Sequence, residues 1–311
     1  MKKIAALLIV LLPLLVSSQN DTLKTDTVSN WKHNGLYALN LSQVSLVNWA
    51  AGGENLFSVN SFLNYTLNYN KSKINWENTL NLAYGIVKQG ERPLNKSDDR
   101  IEINSRFGKR ISKNWKHIYM LTFRTQFDEG FKNPGDSLRI SKFMAPGYVI
   151  SSIGFNYSIK DKFSVTIAPI SNKITFVADP VLANQGAFGV TPALYDTNGN
   201  LIKNGSLYRI EFGGNLRIFY SDEIVKNVTL TSTIDFFSNY LEKPENIDIN
   251  WDFMLSMKVN KLLSANLNMN LIYDDDINIG KDTTGDGNAD KFGPRTQFKS
   301  VFGAGLSIKL N

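Results

Sequence analysis

From Phe57 onward the chain alternates. Phe57, Val59, Leu63, Tyr65, Leu67 and Tyr69 fall on one face, and Ser58, Asn60, Asn64, Thr66, Asn68 and Asn70 on the other, with Ser61 and Phe62 out of pattern. A period of two is that of a strand, because successive side chains point to opposite faces. The apolar face needs either a protein core or lipid against it. The same alternation recurs nearly to the C-terminus, most cleanly in "IDINWDFMLSMKV" from Ile247 to Val259. About twelve segments read this way, starting near Gly35, Leu56, Ile74, Arg100, His117, Gly147, Phe163, Leu207, Asn227, Ile247, Ser264 and Arg295.

The connections decide between the two environments. Short links ("NKSK", "ISKNWK", "KDK", "SDEIVK", "NKLL") alternate with long ones. The long ones are "NWAAGGEN", "KQGERPLNKSDD", "DEGFKNPGDSLRISKFMA", the stretch from Ala178 to Ser206, and "DDDINIGKDTTGDGNADKFGP". Only "EKPEN" is short for its side. An even number of strands with turns on one rim and loops on the other is the pattern of an outer-membrane barrel. Tyr and Trp also sort to strand ends: Tyr69, Trp76, Trp115 and Tyr157 on the turn side, and Trp49, Tyr84, Tyr148, Tyr208 and Trp251 on the loop side. Amphipathic rings collect at both membrane interfaces. The expected fold is therefore all-β: a transmembrane antiparallel β-barrel of about 12 strands with short periplasmic turns and longer extracellular loops. The apolar face of Phe57 to Tyr69 is expected to meet lipid, with Gly52-Gly53 supplying the positive φ of a tight outer reversal.

Composition adds the route of export. "MKKIAALLIVLLPLLVSSQN" places two lysines before a short apolar run broken by Pro13, with small residues ahead of Gln19. That is the form of a cleaved signal peptide, too short to span a bilayer. The expected division is a signal peptide over 1–18, a periplasmic segment over 19–34 and the barrel over 35–311. Loss of Lys2 and Lys3 lowers the formal charge from +6 to +4, and no basic stripe supports nucleic-acid binding. No later run is long and apolar enough for a transmembrane helix, and the absence of cysteine excludes disulfides and a lipoprotein anchor. The expected location is the outer membrane of a Gram-negative envelope.

Several strings taken together resemble a known family: "NWAAGGEN", "MAPGYVISSIGFNYSIKDKFSVTIAPISNKITFVAD", "GAFGV", "FFSNYLEKPENIDINWDFMLSMKVNKLLSANLNMNLIYDDDI" and "GPRTQFKSVFGAGLSIKL". The family is an uncharacterised Bacteroidota group of outer-membrane proteins, the domain of unknown function 3078. The resemblance implies an outer-membrane barrel and carries no activity and no functional residues with it. The partners then expected are membrane lipid and, during biogenesis, the barrel-assembly machinery. "GAGLSIKL" keeps the alternation of an assembly signal but lacks its terminal aromatic.

Candidate chemistry lies on the inward faces. They are expected to carry Arg106, Arg124, Arg209, Glu211, Arg217, Asp235, Asp252 and Arg295, with Glu77, Glu102, Arg110, Asp248, Lys258, Lys299 and Lys309 beside them. Mixed charges enclosed in a barrel must pair. They either brace the lumen or line a path for a small polar solute, with a weak preference for anions. In "DTTGDGNAD", Asp282, Thr284, Asp286, Asn288 and Asp290 have the alternate oxygens of a calcium turn, although Gly293 stands where a bidentate Glu would close an EF-hand loop. The alternative there is a polar Gly/Asp loop. The only histidines, His33 and His117, have no serine at matching depth, so no hydrolase triad is expected. The function these residues predict is a channel or binding barrel for a small polar solute. The alternative is a non-conducting structural or interaction protein of the cell envelope.

Overall fold

The computed structural model describes residues 29–47, 53–131, 135–160, 162–285 and 289–310, and its long strands lie in the unit Trp31–Asn311. The expected signal peptide, Trp49 and Gly52 lie outside the described residues. Twelve long strands follow in order: β1 (Trp31–Val44), β2 (Leu56–Lys71), β3 (Ile74–Gln89), β4 (Asn95–Arg110), β5 (Trp115–Thr125) and β6 (Gly147–Ile159). They continue as β7 (Phe163–Phe176), β8 (Tyr208–Val225), β9 (Val228–Asn239), β10 (Ile247–Lys258), β11 (Leu263–Tyr273) and β12 (Gln297–Leu310). Each pairs antiparallel with its neighbours in sequence, and β12 returns to β1 with Ile308 opposite Tyr37, which closes the ring. A closed ring leaves no unpaired edge, the condition for a sheet to stand in lipid.

Two boundaries differ from expectation. β1 begins at Trp31, so Trp31–Asn34 belongs to the barrel and not to a preceding segment. β4 begins at Asn95 instead of Arg100, which reduces the link before it to residues 90–94. In "NKSDD" both faces are polar, so there is no alternation to mark the strand. Tight turns close the opposite rim, where Ser72 (φ 54°) and Asn227 (φ 65°) take the left-handed backbone of two-residue reversals.

The outer wall is apolar. Phe302 (68% exposed), Phe298 and Ile210 are exposed on it, as are Ile103, Tyr119 and Leu121. An apolar belt around a closed sheet is a lipid-facing surface, since soluble monomers do not expose contiguous patches of that extent. The turn-side aromatics pack in groups across neighbouring strands. Trp31 packs on Tyr69 and Trp76 (5.0 and 5.8 Å between ring centroids), and Trp115 packs on Tyr157 (5.2 Å). Tyr148 departs from its expected place in the loop-side girdle. It shares the inward parity of Ser152 and Asn156 and lines an interior cavity.

Beyond the loop-side rim the long connections have structure of their own. Gly130–Phe131 pairs with Arg139–Ser141, Leu194–Tyr195 with Leu201–Lys203, and Asn278–Lys281 with Lys291–Pro294. The helix α1 (Pro180–Asn184) is capped by Asp179, whose carboxylate accepts from the N–H of Val181 (2.8 Å) and Leu182 (3.2 Å). Ala145, Val177, Leu182, Ala183 and Val190 form a small apolar core beneath it. This joins the loop after β5 to the loop after β7.

Candidate functional site

The inward faces of β4, β5, β10 and β11 meet in one charged network. Arg100 on β4 grips Asp252 on β10 with both ends of its guanidinium (2.7 and 2.9 Å) and also reaches Glu102 (2.5 Å). Arg124 donates to Glu102 (2.8 Å) and to Asn250 (2.9 Å), while Asn104 and Asn270 complete the shells of Glu102 and Asp252 (2.7 and 3.0 Å). In a ring of twelve, β4 and β10 are six strands apart, so they are opposite walls. The bidentate pair is therefore a strut across the waist of the lumen. Planar guanidinium and carboxylate groups match in geometry, which makes this the strong form of ion pair.

Two further groups lie on either side. Toward the turns, Arg106 pairs with Glu77 across β3–β4 (3.3 Å), and Arg217 pairs with Asp235 across β8–β9 (2.6 and 3.0 Å). Toward the loops, Lys173 is surrounded by Asp248 (2.6 Å), Asp274 (3.1 Å) and Glu211 (3.6 Å), with the ring of Phe237 at 5.5 Å. Arg209 pairs with Glu211 (3.5 Å), Glu242 (3.5 Å) and Asp276 (2.7 Å). Its guanidinium also meets the carbonyl of Gly189 (3.4 Å), where φ of 78° lets the backbone approach. The loop carrying "GAFGV" thus rests on an inward residue at the loop-side mouth.

Among the described residues two sizeable cavities flank the strut. One of about 230 Å³ is lined by Asn40, Asn64, Glu77, Arg106, Arg217 and Asp235 among others. The other, of about 170 Å³ toward the loops, is lined by Arg124, Gln126, Tyr148 and Ile272. Arg100, Asn270 and Lys299 border both. Along the middle and turn-side part of the β5–β7 wall, by contrast, the interior is filled. Thr166, Ala168 and Ser171 are buried, Ser171 bonds Ser152 (2.9 Å), and Asn156 bonds Thr166 (2.9 Å).

Of the residues expected inside, Arg106, Arg124, Arg217, Asp235 and Asp252 project into these networks, and Arg209 and Glu211 stand at the loop-side mouth. Arg295 does not join them: it precedes β12, and its Nε donates to the carbonyl of Ile279 (3.3 Å), fastening the base of an outer hairpin. Sequence reasoning missed Arg100 and Lys173, the centres of two of the three groups. Of the calcium-like loop, Asp286 and Asn288 lie outside the described residues. Asp282 accepts from the N–H of Thr284 (3.0 Å) and Gly285 (2.6 Å), and Asp290 from Thr283 Oγ1 (2.7 Å), so both carboxylates serve the loop's own turn. His33 and His117 lie against Tyr65 and Phe155 (6.0 and 4.7 Å between centroids).

Between the loops, Asp179 receives Arg139 (2.6 Å) and Lys142 (3.2 Å) as well as the helix N–H groups. Burial alone would raise its pKa. The N–H of Leu182, the Lys142 ammonium and the N–H of Val181 outweigh that and hold it below the ordinary carboxylate value.

The fold and lumen define a class: a closed twelve-stranded membrane barrel with a charged, partly filled interior. The family model described as a protein of unknown function (DUF3078) matches residues 41–131. No curated protein matches the sequence. Among solved structures, the chain is similar to an outer membrane channel from Pseudomonas putida F1, with 11% identity, a TM-score of 0.38, and coverage of 93% of this chain and 100% of that one. It is also similar to the translocator domain of the autotransporter NalP from Neisseria meningitidis, with 7% identity, a TM-score of 0.34, and coverage of 91% and 90%.

Proposed function

We propose that the protein is an outer-membrane β-barrel that holds a small polar solute in its lumen and passes it when the waist opens. The observation that carries this reading is the Arg100–Asp252 strut with a cavity on each side of it, the larger one lined by asparagine, threonine and ion-paired side chains. A lumen meant only as a plug would gain by filling that space, because voids cost packing contacts. The middle and turn-side part of the β5–β7 wall is filled in that way, and the wall opposite is not. The competing reading, a non-conducting envelope component, draws its support from the closed waist and from loops that pack on each other above it.

Single-channel conductance in planar bilayers separates the two. The wild-type barrel is expected to be silent or to open rarely, and Arg100→Ala to give discrete, salt-dependent steps. Silence of both proteins, with the variant folded, would sink the pathway and leave the structural reading.

A further inference from the structure

The larger cavity has a chemistry that selects among solutes. Its four cations are already committed: Arg106 to Glu77, Arg217 to Asp235, Lys299 to Asp98 (2.6 Å), and Arg100 to Glu102 and Asp252. An ionic ligand would have to break one of these pairs and leave a charge without its partner, a loss that a neutral ligand avoids. Among the uncharged polar residues of the lining asparagine predominates, with Asn40, Asn64, Asn81 and Asn268 joined by Thr231 and Thr233. An amide offers donor and acceptor side by side, and a hydroxyl is both at once, so the two are complementary. Phe62 from β2 and Phe219 from β8, strands six places apart in the ring, add two apolar faces.

Asn40 and Arg106 both line the cavity, and Asn40 is only 6% exposed. The Oδ1 of Asn40 and the Nε of Arg106 are buried with no partner among the described residues, so it is the remaining polar atoms of the lining that a ligand would meet. The space, about 230 Å³, far exceeds the roughly 10–15 Å³ that a single ordered water occupies.

We infer that this cavity binds a neutral polyhydroxylated solute of the monosaccharide or small polyol class. Asn40 and the neighbouring amides would meet its hydroxyls, and Phe62 or Phe219 its C–H face. The inference rests on the proposed solute-holding lumen and names what that lumen selects.

The test is calorimetric titration of the folded barrel in detergent with glucose and sorbitol, against the charged analogues gluconate and glucosamine. Saturable binding of a neutral solute is expected, with both charged analogues weaker by about tenfold or more. Asn40→Leu should weaken the neutral solute by about tenfold. Phe62→Leu, which removes an aromatic face and no hydrogen bond, should weaken it less and decides the matter if Asn40→Leu does not fold. Gluconate or glucosamine binding as well as glucose, no saturable binding of either neutral probe, or folded variants indistinguishable from wild type would each overturn the inference. Conductance by Arg100→Ala without neutral-solute binding would remove the ligand class and leave the pathway. Binding without conductance would remove the pathway and leave the ligand class.

Discussion

Single residues in this barrel act through the partners that bury with them, and Asp179 is the plainest case. It is fully buried, caps α1 and joins Arg139 and Lys142 from the other loop, so it fixes how the two loops sit on each other. Its carboxyl titrates below the ordinary carboxylate value in the folded state. The folded state therefore binds fewer protons there than the unfolded state. The contribution is complete above the ordinary value and is lost as pH falls through the lowered one. Hydrogen exchange of Leu182 and Ala183, corrected for intrinsic rate, should lose protection over that acidic interval. In Asp179→Asn, which keeps a capping oxygen but not the charge, protection should be lower at neutral pH and flat across the interval. An equal acid response in the variant would assign the loosening to another group. None of this was visible in sequence, because Arg139, Lys142 and Asp179 are separated along the chain and meet only once the loops fold.

At the scale of the strand, sequence legibility depended on unbroken parity. β2, β3 and β10 keep one parity along their length despite single exceptions such as Ser61 and Phe62, so the faces of Phe57, Trp76 and Trp251 could be read directly. β7 could not. A bulge opposite Ile153–Phe155 shifts its register, so that the inward set passes from Ser164, Thr166 and Ala168 to Ser171, Lys173 and Thr175. One extra residue reverses every later face, which is why Lys173 escaped the sequence reading. Arg100 escaped for a different reason: the strand ahead of it is polar on both faces. Where parity is intact, adjacent residues should respond oppositely to the same substitution. Phe302 stands outside in the apolar belt, and Val301 lines the cavity. Phe302→Arg is expected to cost about 2–4 kcal/mol in denaturant unfolding from vesicles, and Val301→Arg clearly less. Equal costs would mean that the belt does not face hydrocarbon.

For the whole molecule, the issue is whether the strut is a gate or a brace, and both roles predict mechanical coupling between opposite walls. Arg100 and Asp252 are far apart around the sheet and meet only across the lumen. Substitutions at such distant strands would ordinarily add independently. If the walls are joined at the waist, the double-mutant cycle of Arg100→Met and Asp252→Asn should show a coupling of about 1–3 kcal/mol in unfolding from vesicles. Part of the loss in Arg100→Met should return in the double variant, because the carboxylate left behind is neutralised with its partner. A coupling near zero would mean that the side chains are not held across the waist in the membrane and that the lumen stands open there. With the coupling established, conductance settles the role. A brace removed weakens the barrel and leaves it silent, since the Glu102–Arg124 and Arg217–Asp235 pairs still fill the path. A gate removed weakens it by the same amount and joins the two cavities, so loss of stability and onset of current arrive in the same variant.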